Sequence, residues 1–185
     1  MPLRFVIIGA GPAGMRAAEV LRQRAPEAEI VLIGDEPHLP YDRPPLSKAF
    51  ITDGLAATKL YLKPESFYAE QRIALKLGAA AVHIDRARKE VELAGGERVA
   101  YDKLLLATGC RGRRLPRDFE TVPIYYLRSL GDAGRIRAAL RPDSAVVMIG
   151  GGFIGLEIAA SATKRGAKVR VIEAAPRLMS RGMPA

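Results

Sequence analysis

One cysteine, few aromatic residues and no long apolar run set the first limits on this 185-residue chain. A lone thiol, Cys110, rules out a disulfide within the chain and any C-x-x-C redox pair, which fits a reducing compartment; a cytoplasmic protein is expected. No histidine stands near Cys110 in the sequence, so it reads as a small buried residue and not as a nucleophile. No apolar stretch reaches the roughly 18 residues of a membrane span, and the amino terminus runs into an apolar strand with no room for a signal peptide. Aromatic residues make up only 6% of the chain, too sparse for the stacking platforms of single-strand nucleic-acid binders. The net charge of +9 therefore points elsewhere. Arginines are spread along the sequence, with one cluster at Arg111, Arg113, Arg114 and Arg117; this is a solvated surface or a face for an acidic protein partner, and nucleic acid is disfavoured. What remains is a globular composition, 49% hydrophobic and 26% charged, that supports a sizeable core.

The chain is organised around its opening stretch. Phe5 to Ile8 is an apolar run suited to a buried parallel strand, and Gly9, Gly11 and Gly14 follow with the spacing G-x-G-x-x-G. The first glycine permits a tight turn, the second leaves room for a pyrophosphate against the backbone, and the third lets the next helix pack close to the sheet. That helix is predicted from Pro12 to Arg24, with Pro26 beyond its end. Its amino end offers free N–H groups and partial positive charge to a diphosphate. A second strand, 29–34, delivers Asp35 and Glu36, acids placed to accept hydrogen bonds from an adenosine ribose.

A Pro-rich segment follows, Pro37 to Lys48, which is expected neither to form a regular strand nor to begin as a helix, and which holds Arg43 and Lys48 on a stiff backbone. A short helix is predicted at 64–71 and a strand at 73–77. Residues 80–84, 89–93 and 98–101 alternate apolar and polar side chains around an Ala94-Gly95-Gly96 turn, the pattern of an antiparallel hairpin insertion. Lys103 to Gly109 returns to buried-strand character, its small residues Ala107, Thr108 and Gly109 allowing close approach to a ligand. Residues 111–123 read as a loop, and 129–140 as a helix capped by Ser129.

Then the opening pattern repeats. Residues 144–149 form a strand, Gly150, Gly152 and Gly155 repeat G-x-G-x-x-G, 153–165 a helix, and 168–172 a strand that ends at Glu173. Two dinucleotide motifs in one chain imply two nucleotides, and the chemistry that joins them is hydride transfer from a nicotinamide to a flavin.

Four segments carry a resemblance: Gly9-Ala-Gly-Pro-Ala-Gly14, Tyr41-Asp-Arg-Pro-Pro-Leu-Ser-Lys48, Leu106-Ala-Thr-Gly109 and Gly150-Gly-Gly-Phe-Ile-Gly-Leu-Glu157. Together they resemble the FAD-dependent pyridine nucleotide-disulfide oxidoreductases, and within them the ferredoxin reductases of oxygenase systems, such as putidaredoxin and rubredoxin reductases, with apoptosis-inducing factors as relatives. The resemblance spans essentially the whole chain. It implies an α/β fold: a Rossmann-like FAD-binding domain over 1–142 with an antiparallel insertion at 80–101, then at 143–185 the first βαβ unit of a second, NAD-binding Rossmann-like domain. It implies that Gly9, Gly11, Pro12, Ala13 and Gly14 hold the FAD pyrophosphate and that Asp35, with Glu36 beside it, meets the ribose. The backbone near Ala81 would face the adenine, and Ala107, Thr108, Gly109 and Arg128 would line the cofactor. Arg43 and Lys48 would run beside the flavin, with Lys48 paired to Glu157 from the first turn of the second glycine-motif helix. Gly150, Gly152, Phe153, Ile154, Gly155 and Glu173 would bind NADH. No metal site is implied.

The implied function is an NADH-dependent flavoprotein reductase that feeds an acidic carrier of the ferredoxin or rubredoxin type. Two alternatives stand beside it: a flavin-binding protein with a non-enzymatic role, like the apoptosis-inducing factors, and a catalytically incomplete fragment. The fragment reading follows from the second unit, which stops after one strand, helix and strand, with 177–185 reading as the entry to a further helix. Oligomeric state has no signature in the sequence.

Overall fold

The computed structural model describes residues 2–115, 122–180 and 182–183. In chain order its elements are β1 (Arg4–Ile8), α1 (Pro12–Arg24), β2 (Glu29–Ile33), α2 (Ala49–Thr52), α3 (Glu65–Glu70), β3 (Ile73–Lys76), β4 (Ala81–Asp85), β5 (Glu90–Leu93), β6 (Arg98–Ala100), β7 (Lys103–Leu106), α4 (Leu130–Ala139), β8 (Ala145–Ile149), α5 (Phe153–Lys164) and β9 (Lys168–Ile172). Tight 3-10 turns occupy Pro44–Ser47 and Ala57–Leu60. The chain packs as two units, Met1–Asp42 with Tyr61–Cys110, and Arg43–Leu60 with Arg111–Ala185.

The first unit is built on a parallel sheet of order β3-β2-β1-β7. Successive side chains of a strand point to opposite faces, and here both faces are covered. Val6, Ile8, Val31 and Ile33 pack against Val91, Leu93 and Val99, while Ile7, Ile30, Leu32 and Ile73 pack beneath Met15 and Ala18 of α1 and Tyr68 of α3. A parallel strand covered on both sides must be apolar throughout, which is why Phe5 to Ile8 has no polar alternation. The covering layer at β4-β5-β6 is a three-stranded antiparallel sheet formed by the three segments whose side chains alternate in the sequence. The turn from β4 to β5 is set by Asp85, whose Oδ1 accepts the amides of Ala87 and Arg88 at 3.0 and 2.9 Å.

Two expectations about the backbone are corrected. The Pro-rich segment does begin a helical turn, because Pro44 and Pro45 stand in the first positions of the 3-10 turn, where an N–H has no partner to lose. Cys110 is exposed, since the chain has by then left β7 and carries no side chain into either core layer.

In the second unit α4 is closed by a reciprocal capping box between Ser129 and Asp132. Strands β8 and β9 pair in parallel, and Val146, Met148 and Val169 pack toward Ile136, Ile158 and Ala162. Arg111, Arg113 and Arg114 are exposed, with Arg114 stacked over Tyr126; Arg117 lies outside the described residues. No helix among the described residues is long and apolar enough to cross a membrane.

Candidate functional site: two glycine-motif cradles

The two glycine motifs adopt the same local geometry. Gly9 and Gly150 sit at φ +117° and +101°, a region that side chains avoid. A Cβ on Gly14 would lie 1.8 Å from the Gly9 carbonyl oxygen, and one on Gly155 would lie 2.3 Å from that of Gly150. The third glycine therefore serves the packing of helix on turn. The middle glycines differ, because a Cβ on Gly11 or Gly152 would meet nothing within 4 Å. Space stands open there, at a helix start.

Those starts are also unsatisfied. The N-caps of α1 and α5 are Gly11 and Gly152, with no side-chain hydrogen bond to the first amides, whereas α4 carries its full capping box. Uncapped helix amino ends keep N–H donors and partial positive charge for an anion. Donor set and open space together fit the diphosphate of a dinucleotide at both places.

Within the first unit the other expected residues gather around Gly9. A Cβ there would strike the Ala107 carbonyl oxygen at 2.1 Å, so the Ala107-Thr108-Gly109 segment passes directly over the turn. Asp35 is exposed. Glu36 is half-buried and accepts the Tyr41 hydroxyl at 2.6 Å. The Gly78 and Ala79 amides donate to the carbonyls of Glu36 and Gly34, both at 2.9 Å, which brings the chain alongside Gly34 two residues before Ala81 opens β4.

In the second unit a cavity of about 420 Å³ lies at the start of α5, lined by Gly150, Gly152, Phe153, Glu173 and Met179 among others; small-molecule sites commonly fall in the range of about 300–1,000 Å³. Phe153 and Ile154 are each 56% exposed, available to a ligand. Glu173 Oε2 accepts the Gly151 amide at 2.7 Å and Oε1 that of Ala175 at 2.8 Å. A Cβ on Gly151 would meet Cδ2 of Leu178 at 2.4 Å and Glu173 Oε2 at 3.3 Å, so a side chain at this fourth glycine, which the motif spacing does not demand, would displace the half-exposed Leu178 side chain.

Lys48 and Glu157 meet, with Nζ to Oε2 at 2.8 Å. Glu157 is the fifth residue of α5 and so lies beyond the first turn expected for it; no acidic residue occupies that turn. Its carboxyl is held below the usual glutamate range by the hydrogen bond from Lys48 first and that from Ser47 second, with burial opposing both. The macrodipole is thus not the reason for this residue. Arg43 Nη1 donates to the Arg128 carbonyl at 2.5 Å, and the Arg128 amide donates to the capping residue Asp132 at 3.0 Å, so two expected cofactor residues are fastened to one helix start. No cluster of His, Cys, Asp or Glu suited to a metal occurs among the described residues. Sequence reasoning missed Ser47 and Gly151, whose partners are distant along the chain or belong to the loop after β9, and also Tyr41, whose hydroxyl meets Glu36 five residues before it.

Residues 3–185 match the sequence profile of the pyridine nucleotide-disulphide oxidoreductases. The chain belongs to this family. It is 48% identical over 180 residues to a rubredoxin-NAD(+) reductase of Pseudomonas putida, covering 97% of this chain and 47% of that protein. To a rhodocoxin reductase of Rhodococcus erythropolis it is 43% identical, over 98% of this chain and 43% of the relative. The fold matches that of putidaredoxin reductase in its covalent complex with putidaredoxin, with a TM-score of 0.92 and 41% identity over 98% of this chain and 45% of that one. The chain thus spans under half the length of the relatives it matches.

Proposed function

We propose that the full-length protein is an NADH-dependent FAD flavoprotein reductase that delivers electrons to a ferredoxin or rubredoxin type carrier of an oxygenase system, in the cytoplasm. The observation that carries this reading is the repetition of one backbone cradle, with an open middle glycine and an uncapped helix, at Gly9–Gly14 and at Gly150–Gly155. The likeness to rubredoxin and rhodocoxin reductases supports the choice of acceptor.

In this reading residues 1–142 hold FAD and 143–185 begin the nicotinamide-binding part. A bound FAD supplies the two-electron to one-electron conversion that links a hydride donor to a single-electron carrier. The chain's own residues do the rest. Gly11 keeps the α1 amides open to the pyrophosphate, with Pro12, Ala13 and Gly14 forming the first turn behind it, and Asp35 and Glu36 offer carboxylates to the ribose. Ala81 presents backbone to the adenine, and Ala107, Thr108 and Gly109 wall the cofactor closely. Arg43 and Arg128 orient it. Lys48, 52% exposed, places a positive charge where negative charge grows on reduction, and Glu157 keeps that ammonium in one position. Gly150, Gly152 and Gly155 with Phe153 and Ile154 receive NADH, while Glu173 accepts from its ribose and repels a 2′-phosphate. These 185 residues carry one thiol, Cys110, and so supply no dithiol pair of their own.

The test is a pair of variants of the full-length protein. Gly11→Val is expected to fold but to lose the blue-absorbing flavin. Gly152→Val is expected to retain flavin yet no longer be reduced by NADH. Full flavin content in the first, or unimpaired reduction by NADH in the second, would refute the corresponding assignment.

A further inference from the structure

Three polar contacts join α5 to the turn that carries Lys48. Glu157 and Ser161 stand four residues apart on α5 and so leave the same face of the helix. Ser47 Oγ donates to Glu157 Oε2 at 2.5 Å, and Lys48 Nζ meets the same oxygen at 2.8 Å. Ser161 Oγ in turn donates to the Ser47 carbonyl at 2.7 Å. Ser47 and Ser161 are buried, at 5% and 4% exposure.

The two donors on Oε2 are not equivalent. Lys48 is a half-exposed ammonium on a flexible stem, and an ion pair of that kind contributes little and fixes little by itself. Ser47 is part of a 3-10 turn stiffened by Pro44 and Pro45, with its own carbonyl anchored by Ser161. Its hydroxyl has a second acceptor, the Pro44 carbonyl, only at 3.4 Å. A serine buried for packing alone would not aim its oxygen at a carboxylate 110 residues away. The rigid donor sets where the carboxylate sits, and the ammonium, whose other acceptor is the Pro44 carbonyl at 3.3 Å, takes its place against it.

We propose that Ser47 is a positioning residue of this site: its hydroxyl fixes the Glu157 carboxylate on α5, and that carboxylate holds the Lys48 ammonium. Because α5 begins at the Gly150 motif, the same contacts tie the Lys48 turn to the helix that would receive the nicotinamide dinucleotide. Only that consequence rests on the reductase reading.

The test follows the Glu157 carboxyl by carbon-13 NMR in full-length protein carrying labelled glutamate, with no cofactor added and the signal assigned by its loss in Glu157→Gln. In the parent, Glu157 titrates below the ordinary glutamate range. Ser47→Ala is expected to shift the titration upward, Ser47→Thr, which keeps a hydroxyl, to shift it less, and Lys48→Met to shift it upward by a separate increment. A Ser47→Ala titration that superimposes on the parent, while Lys48→Met moves it, would show that Ser47 merely packs and overturn the proposal. Should Ser47→Ala fail to fold, Ser161→Ala decides, because it frees the Ser47 carbonyl without removing the hydroxyl: an upward shift supports the proposal and an unchanged titration overturns it. Failure of the parent to bind flavin or oxidise NADH would refute the reductase reading and leave this result standing.

Discussion

Glu173 and Gly151 are joined by a 2.7 Å hydrogen bond from the Gly151 amide to Oε2, so the carboxylate at the end of β9 braces the glycine loop that it also flanks. The role in cofactor choice proposed for it rests on its charge, and the brace rests on its acceptor oxygens. A 2′-phosphate at about 4 Å from the carboxylate meets repulsion of roughly 4 kcal/mol at an effective dielectric near 20, and even a third of that is about tenfold in affinity. Glu173→Gln keeps an acceptor for the amide and removes the charge. It is expected to lower the NADH over NADPH preference about tenfold with NADH binding largely kept. Glu173→Ala removes the brace too and is expected to weaken both cofactors. The ratio of kcat/KM for the two cofactors in the full-length protein is the measurement; a ratio unchanged in Glu173→Gln contradicts the assignment.

Tyr68 carries a buried hydroxyl with no hydrogen-bond partner among the described residues. The ring is 2% exposed among Ile7, Leu32 and Ile73, and burial, with the charge of Glu19 adding to it, pushes the phenol up to about 12. The folded chain keeps this proton after the unfolded chain has lost it near pH 10, so stability is full below about pH 10 and falls from there to about pH 12, by up to about 1.4 kcal/mol per pH unit. Tyr68→Phe removes both the unsatisfied group and the titration. We expect it to stabilise by about 1 kcal/mol at pH 7 and to flatten the alkaline loss. Urea unfolding at neutral and alkaline pH reads both, and a destabilised Phe variant at pH 7 would mean that the hydroxyl is satisfied.

Arg22 is buried with no carboxylate in hydrogen-bond contact among the described residues, Glu27 acting on it only through its charge. Its guanidinium donates to the carbonyls of Gln71, Pro26, Ala28 and Arg72 at 2.7 to 2.9 Å, and more distantly to Ala25. It thereby closes the turn after α1 and the turn before β3, where Arg72 sits at φ +50°. Arg22→Leu strands several carbonyls at once and is expected to cost about 3 kcal/mol, by the mechanism that gives large single-site losses. Arg22→Lys, with a compact head in place of the planar fork, should recover only part. Denaturant midpoints of the three proteins are the check.

These cases mark what could be read in advance. Strand β9 and helix α1 fall where periodicity and the Pro12 and Pro26 boundaries placed them, and both glycine cradles were legible because a positive φ and a close helix approach demand glycine at fixed spacing. The pairing of Lys48 with Glu157 was legible through family resemblance, while the reason Glu157 sits there was not, since the Ser47 and Lys48 donors reach it from over 100 residues away. Gly151 was invisible for a related reason: what a side chain there would displace is Leu178, delivered by the loop after β9. Nothing in the sequence distinguishes Arg22 from any other basic residue near a helix end. Nothing in one sequence says that a charged residue is folded inward when its partners are backbone carbonyls. Cys110 was misjudged because small residues are usually buried, whereas this one lies past the end of its strand.

The last prediction concerns these 185 residues expressed by themselves. Parallel sheets are ordinarily covered on both faces, yet Val147, Ile149 and Ile172 are each more than half exposed. They share the face of β8 and β9 opposite Val146, Met148 and Val169, as the register Val147↔Arg170 and Ile149↔Ile172 requires. With only one partner each among the described strands, β8 and β9 also leave backbone donors and acceptors unpaired at their outer edges. Apolar face and open edge together favour association with other chains. The chain alone is therefore expected to self-associate, to bind FAD weakly or substoichiometrically, and to oxidise NADH negligibly, even though the first cradle and its core are built from its own residues. Replacing Val147 and Ile172 by Lys and Glu should reduce the association without touching the Gly9 cradle. Sedimentation velocity across a concentration series, with NADH absorbance followed against an artificial acceptor, tests the association and the lack of turnover. A monodisperse monomer in the unsubstituted chain would contradict the first, and sustained turnover on the order of ten per second the second.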